Sequence, residues 1–459
     1  MDPLFMRHRP YRFRARNRAL GFALAWLVSA SPVARGADLL SIFRDALAND
    51  ATYSSAKLTL DAGREVVPQA FAGLLPTVNA SANTVRNDVE VSSRVPSAAF
   101  VPGSRVYNTN GFSINLTQPL FRWGNWQTYL QSQLLVIQSE AQFAQAGQDL
   151  AVRVAQAYFD VLNAQDTLAV AGSKKTAISE QLAQAKRNFE VGTSTIVDTN
   201  EAQSRYDLVI AEELAAQNDL AVKQTALVQI VGKPPGGLAP LRPDVPLPPP
   251  SPAQIDQWVA AAESGNYLVK AQEAGAEVAK RAVEIQRAGH YPTLDLTAAV
   301  NRNSASGSAT NNVGSDINST TLGLQLAIPL YAGGAVNSRV RQALANQEKA
   351  RSDLEIQKRA AAQNARQFFL GVTNGLAQVR AFEAAMISSK SSLDSNKLGY
   401  EVGVRINIDV LNAQQQLFTT QRDLSKARYD TIVNSFRLKA ATGSLKEEDV
   451  SSVNALLTR

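Results

Sequence analysis

The chain has 459 residues, with 46 Lys and Arg against 40 Asp and Glu, a formal net charge of +6, no cysteine and two histidines. The missing cysteines exclude a disulfide framework, thiolate zinc sites and thiol nucleophiles, and the scarce histidines leave little for a serine-histidine triad or a multi-histidine metal centre. The charge excess sits at the start of the chain: without residues 1–36 there remain 39 basic and 39 acidic residues, so the basic balance does not point to nucleic acid.

Residues 1–36 read as a secretory signal peptide. Arg7, Arg9, Arg12, Arg14, Arg16, Arg18 and Arg35 precede or flank the apolar run Ala19 to Ala30, and small residues follow around Ala34 to Ala37. The run is well short of the ~20 apolar residues that a spanning helix needs. From Asp38 to about Phe71, helical spacing of Leu39, Ile42, Phe43, Ala46 and Leu47 predicts a helix of about 30 residues ending near Pro68. The period then changes to two. Val78, Ala80 and Ala82 alternate with Asn79, Ser81 and Asn83, and Phe112, Ile114 and Leu116 alternate with Ser113, Asn115 and Thr117, which predicts a hairpin. A sheet apolar on one side and rich in Asn, Ser and Thr on the other suits either a soluble core or a membrane barrel with a wet lumen. The aromatics Tyr107, Phe121, Trp123, Trp126, Tyr129 and Tyr331 at the hairpin ends favour the barrel, as a girdle at the bilayer interface.

After the hairpin, Asn125 to Glu190 is built from Ala, Gln, Leu, Val and Arg with almost no Gly or Pro, and predicts a helix of about 100 Å. Its alanine-rich seams let helices approach closely and pack side by side. A turn at "VGTSTIVDTNEAQ" (Val191 to Gln203) precedes a helix half as long, running back to Ile230. "GKPPGGLAPLRPDVPLPPPSPAQ" (Gly232 to Gln254) is a Pro-rich connector; its Gly-Lys is followed by Pro234 and is no phosphate loop.

The same programme then repeats. "LLPTVNAS" returns as "HYPTLDLT" at an offset of 216, "LTQPLF" as "LAIPLY" at 210, and the turn as "VGVRINIDVLNAQ" (Val402 to Gln414) at 211. The second hairpin carries Leu294, Leu296, Ala298 and Val300 against Leu322, Leu324, Leu326 and Ile328, with Asn301 to Thr320 expected as a solvated loop, and the second long helix covers Ala335 to Glu401. The expected organisation is a signal peptide (1–36), a first repeat of helix, hairpin, long helix and helix (37–232), a linker (233–254), a second repeat (255–445) and a C-terminal tail (446–459). Four strands cannot close a barrel in lipid, so several chains must share one. Two chains would give eight strands and three would give twelve; polar inner faces that need water favour three.

The duplicated unit, "LLPT", "HYPTLDLT", "IPLYAGGAVNSRVRQA" (Ile328 to Ala343) and "GYEVGVRINIDVLNAQQQLF" (Gly399 to Phe418) together resemble the TolC family of outer-membrane efflux proteins across the whole processed chain. The resemblance implies a mainly α fold with a membrane β-barrel, in which each chain of a homotrimer gives four strands to a shared twelve-stranded barrel above an α-helical coiled-coil tunnel. It implies a Gram-negative outer-membrane channel reaching into the periplasm, embedded in outer-membrane lipid. Its partners would be a periplasmic adaptor (membrane fusion) protein and an inner-membrane pump of the RND or ABC type, with no cofactor, no metal centre and no catalysis. The duct would serve drug efflux or type I secretion and open by untwisting of the coiled-coil tips.

By the same resemblance, Asp409 lines the entrance constriction, and Asn412 stands where the fuller pattern has a second aspartate. Tyr400 and Arg405 tie one coiled coil to the other, and Asp198 occupies the partner position. A ring of Asp409 carboxylates would favour cations and bind divalent cations that block the channel. Carboxylates at helix starts also suit the macrodipole whatever their role. The rival reading is a trimeric coiled-coil structural or adhesive surface protein without transport, which accounts for the long helices but not for the duplicated hairpins.

Overall fold

The computed structural model describes residues 37–92, 102–243, 245–310 and 312–458; the expected signal peptide lies outside them. The first half contains α1 (Leu39–Asn49), α2 (Ala51–Arg64), α3 (Val66–Ala72), β1 (Thr77–Val91), β2 (Gly103–Phe121), α4 (Trp123–Glu190) and α5 (Ile196–Val231). The second contains α6 (Ile255–Gly265), α7 (Tyr267–Arg287), β3 (Thr293–Ala305), β4 (Ser315–Ala327), α8 (Ala335–Glu401), α9 (Asn407–Ala441) and α10 (Glu447–Asn454). No helix among the described residues is long and apolar enough to cross a membrane.

The single helix expected from Asp38 to Phe71 is three helices. It breaks at Asp50, whose backbone is extended (φ −66°, ψ 118°) and whose carboxylate accepts the Tyr53 N–H at 2.6 Å as the cap of α2. Both carboxylate oxygens also meet the Arg153 guanidinium of α4 at 3.0 Å. Asp50 is only 4% exposed. Burial pushes its carboxyl up, but the bonds from Arg153 and Tyr53 outweigh this and hold it below its ordinary value. The second half repeats the device 216 residues on. Asn266 caps α7 through the Leu268 and Val269 N–H groups at 2.9 and 3.2 Å and donates to the Ala441 carbonyl at 2.9 Å. Pro68 does not end the segment; it stands in the first turn of α3, where its missing N–H has no intrahelical partner to lose.

The 68-residue α4 and the 67-residue α8 are each about 100 Å long at ~1.5 Å per residue. Near the strands α4 packs against α2, α3 and α7, and toward the other end against α5 and α9; α8 packs on α6, α7 and α9. Alanines fill the seams, among them Ala151, Ala155, Ala157, Ala185, Ala361 and Ala365, all buried. The largest core lies where the stacked helices meet. Leu39 and Ile42 of α1, Tyr158 and Phe159 of α4, Leu227 of α5, Phe436 of α9 and Val450 of α10 pack together there with Leu238 of the Pro-rich connector. Tyr158 donates its hydroxyl to the Ala239 carbonyl at 2.8 Å and so ties the connector down. Burial raises that hydroxyl's pKa, consistent with a permanent donor.

The four strands form one antiparallel sheet in the order β1-β2-β3-β4. Register places Val78, Leu116, Ala298 and Leu322 side by side, and Ala80 beside Ile114 and Val300; one residue over, Ser81, Ser113, Asn301 and Ser319 line the other face. Among the described residues nothing covers the apolar face: Val78 is 62% exposed and Leu322 76%. Asn301 to Thr320, expected as loop, is only partly so. Residues 301–305 and 315–320 extend the strands, because ladder hydrogen bonds hold them even where both faces are polar, as at Arg302, whose Nε donates to Asn318 Oδ1 at 3.0 Å. At the opposite end Arg122, between β2 and α4, grips Asp295 of β3 with two bonds of 2.8 and 2.6 Å and fixes the helices to the sheet.

Replacing Asp50 separates its two roles. Asp50→Ala loses the cap and strands Arg153, with an expected cost of about 2 kcal/mol; Asp50→Asn keeps the cap and costs about half as much. Denaturant midpoints of the two variants check this ordering.

Candidate functional site

The two copied turns lie at the ends of the α4/α5 and α8/α9 hairpins, remote from the sheet. Each ends its long helix on a left-handed glycine, Gly192 (φ 79°) and Gly403 (φ 81°), a conformation a side chain would strain. The backbone bonds match as well: Thr193 and Ser194 N–H donate to the Asn188 carbonyl, as Val404 and Arg405 N–H donate to Gly399. Gly399, inside α8, is constrained by space instead, since a Cβ there would come within 2.7 Å of Arg405 Cγ.

Beyond the glycine the copies diverge. In the first, Asp198 Oδ2 accepts from Ser194 Oγ (2.7 Å), Thr195 Oγ1 (2.8 Å) and Thr195 N–H (3.1 Å), and Thr195 Oγ1 in turn accepts the Asp198 N–H, a closed capping box. Burial raises the Asp198 carboxyl, but these bonds outweigh it and leave the pKa below its ordinary value. In the second copy Arg405 replaces Ser194 and Ile406 replaces Thr195. Ile406 has no hydroxyl to give, so Asp409 keeps only a 3.4 Å bond from the Ile406 N–H, and Arg405 Nη1 stands 3.7 Å from its Oδ2. The first carboxylate is consumed by its own turn; the second, half-buried, is offered outward beside a cation.

Of the residues expected to latch the tips, Tyr400 does cross between hairpins, its hydroxyl accepting from Asn188 Nδ2 at 3.1 Å. Arg405 and Asp198 do not pair within the chain: Asp198 has its donors already, and Arg405 turns to Asp409 four residues on. Asn412 is exposed and accepts from Arg205 Nη2 of α5 at 3.2 Å, so this neutral amide has a cation for its neighbour. Two crossing contacts escaped sequence reasoning. Gln181 of α4 donates to Asn407 Oδ1, and Asn407 Nδ2 donates to the Asp198 carbonyl at 3.4 Å. The available signal was Asn407 itself, a polar residue where the first copy has Ile196.

The aromatics expected at the membrane interface fall at both ends of the sheet. Phe121 and Trp126 are exposed and Trp123 is half-buried near the helical end, with Tyr129 against the rings of Phe71 and Trp126 at 5.6 and 5.8 Å. Tyr331, 89% exposed, follows β4, while Tyr107 is at the far end of β2, opposite Asn87.

An open sheet with one bare apolar face, fixed to long helical hairpins that end in paired turns, is the build of an outer-membrane channel protein. The chain belongs to the outer membrane efflux protein family, whose pattern matches residues 42–233 and 258–444. It is similar to the outer membrane protein TolC of Vibrio cholerae, 32% identical over 435 residues covering 95% of this chain and 97% of that protein. It is also similar to the alkaline protease secretion protein AprF of Pseudomonas aeruginosa, 32% identical with 91% and 86% covered. Among solved structures the CmeC outer membrane channel of Campylobacter jejuni shares the fold at 15% identity and a TM-score of 0.76, covering 92% of this chain and 90% of that one. The family is one of channel and transport proteins, and the protein resides in the Gram-negative outer membrane.

The Asp198 capping box has a measurable signature. Asp198, with its depressed folded pKa, stabilises its turn above the unfolded value near ~3.9 and loses that stabilisation as pH falls through the folded pKa. Amide protection over residues 195–199, taken against the intrinsic exchange rate at each pH, is therefore expected to fall below about pH 4. Thr195→Ala should do the same at neutral pH, costing about 1 kcal/mol.

Proposed function

We propose that the protein is the outer-membrane exit duct of an efflux or type I secretion assembly, passing cargo without covalent chemistry. The observation that carries this is the open four-stranded sheet, apolar on one face and Asn/Ser/Thr-rich on the other, with an unpaired edge on β1 and on β4 among the described residues. Lipid leaves such edges no partner except other strands. Three copies of the four-stranded sheet make a twelve-stranded barrel, wide enough for water to meet the polar faces. The protein is then a homotrimer, with Phe121, Trp123, Trp126 and Tyr331 at the membrane boundary and the helices reaching into the periplasm. The names of its relatives support the duct: TolC is an outer membrane protein, and AprF is a protease secretion protein. A periplasmic adaptor and an inner-membrane pump complete the path.

The paired turns form the gate at the periplasmic entrance. Asp409 faces the bore as a ring of three, balanced in the closed state by Arg405, and Tyr400 holds the α8/α9 hairpin against α4. Arg405 thus has two effects: it tightens the turn through the ion pair and masks the carboxylate field. The ring favours cations and slows passage by binding divalent ones, less strongly than a double ring because Asn412 is neutral and next to Arg205.

Planar-bilayer conductance tests this reading. Arg405→Ser is expected to raise conductance and strengthen cation preference; Asp409→Ala should weaken cation preference and relieve block by divalent ions. If both variants match the unmodified channel, the gate assignment is wrong.

A further inference from the structure

We infer that the duct is narrowed at its outer mouth, where residues 306–310 of each chain fold over the lumen face of the sheet and are held there by Arg105. The inference rests on the shared-barrel reading above and concerns the end of the barrel remote from the helices. Register assigns the faces. With Val78, Leu116, Ala298 and Leu322 toward lipid, the residues one position over, among them Arg105, Tyr107 and Asp295, face the lumen. Only two residues of the four described strands are buried, Asp295 at 7% exposure and Arg105 at 8%. Both are charged and both are on the lumen face. Asp295 is held by Arg122; Arg105 meets the chain leaving β3, its Nη1 donating to the Ala309 carbonyl. Gly307 is buried against Tyr107, and a Cβ there would come within 2.9 Å of Tyr107 Cβ and 2.7 Å of Asn312 Oδ1. Two bonds of 2.9 Å fix the approach: Ser306 N–H donates to the Asn108 carbonyl, and Asn108 N–H to Ser306 Oγ.

The side-chain pattern reverses at the same level. Nearer the helices the lumen face carries Asn79, Ser81, Ser113, Asn115 and Thr297; toward the mouth it turns apolar at Val85, Val89, Tyr107 and Ile317. The lipid-side positions meanwhile become charged, at Arg86, Asp88, Glu90 and Asp316. A charged outer face has left the hydrocarbon, so the apolar residues at this height are directed at the bore and at the loop that covers them. Three chains place three such loops around one axis, in front of a wall that below them presents small polar side chains. The narrowing is built of neutral backbone and apolar side chains, with each guanidinium engaged by a carbonyl, and therefore selects by size rather than by charge.

The chain has no cysteine, so one introduced thiol reports access cleanly. Ser113→Cys puts it on the lumen face, deeper than the loop, in the full-length protein in intact cells. Maleimides are added outside, one small and one carried on a polyethylene glycol too large to cross the membrane elsewhere. The small reagent should label Cys-bearing protein readily and the large one slowly. Adding Arg105→Ala releases the loop, and adding Gly307→Ala pushes it off Tyr107 with the guanidinium intact. Each should speed labelling by the large reagent on the order of tenfold, the factor by which losing one bond from a charged donor raises the population of displaced loop. Arg302→Ala removes a cation from the lipid side and should change nothing. If Arg105→Ala fails to assemble, Gly307→Ala carries the test alone. Large-reagent labelling that stays at the starting rate in the assembled loop variants, or that is already as fast as small-reagent labelling without them, would overturn the narrowed mouth. Failure of even the small reagent to reach position 113 would show that this face meets no water-filled bore, and would count against the barrel reading itself.

Discussion

A backbone N–H or C=O facing hydrocarbon has no water to bond, and each such group left unpaired costs several kcal/mol. Among the described residues β1 and β4 each present a row of them, beside a face on which Val78, Leu322 and Leu324 stay exposed. The isolated chain is therefore an unfinished object, and its other features follow from finishing it. In the proposed assembly the apolar face meets lipid, the polar face meets water, and the edges meet strands of further copies. Within each chain the long helices are clamped to the sheet at joints such as Arg122–Asp295.

Helices of about 100 Å cannot be held by intrinsic propensity alone. They are held by continuous side-by-side packing, with alanine seams allowing close approach and a broad core at the level where α1, α4, α5, α9 and α10 converge. In each half the segment before the hairpin is interrupted by a buried cap, Asp50 in one and Asn266 in the other. At these two breaks the cap side chain satisfies backbone donors that the new helix start frees.

Duplication made two similar tips, and a few substitutions made them unequal. Ser194 and Thr195 close a capping box that absorbs Asp198; Arg405 and Ile406 leave Asp409 available; Asn407 turns inward where Ile196 points out. One hairpin end is a sealed turn and the other carries a charge, a counter-charge and a crossing amide. The asymmetry gives a site that two identical copies would not.

The alternation of Val78, Ala80 and Ala82 with Asn79 and Ser81, the offset of 211 between the turns, the glycines that end the long helices, and the alanine-rich rods were legible in the sequence because each is a local rule: a pleat, a left-handed turn, a helix propensity. Which partner each polar side chain takes was not legible. Arg405 chose Asp409 over Asp198, Tyr400 chose Asn188, and Asp50 bent a helix that composition drew straight, because those outcomes depend on how two distant hairpins lie against each other and which donors arrive first at a carboxylate. Strand ends escaped for a related reason, since ladder bonds carry pairing through polar stretches that have no period to read. Sequence determined the elements, their faces and their repetition; tertiary packing alone decided the pairings, because a hydrogen bond is settled within a few tenths of an ångström and a periodic pattern carries no such precision.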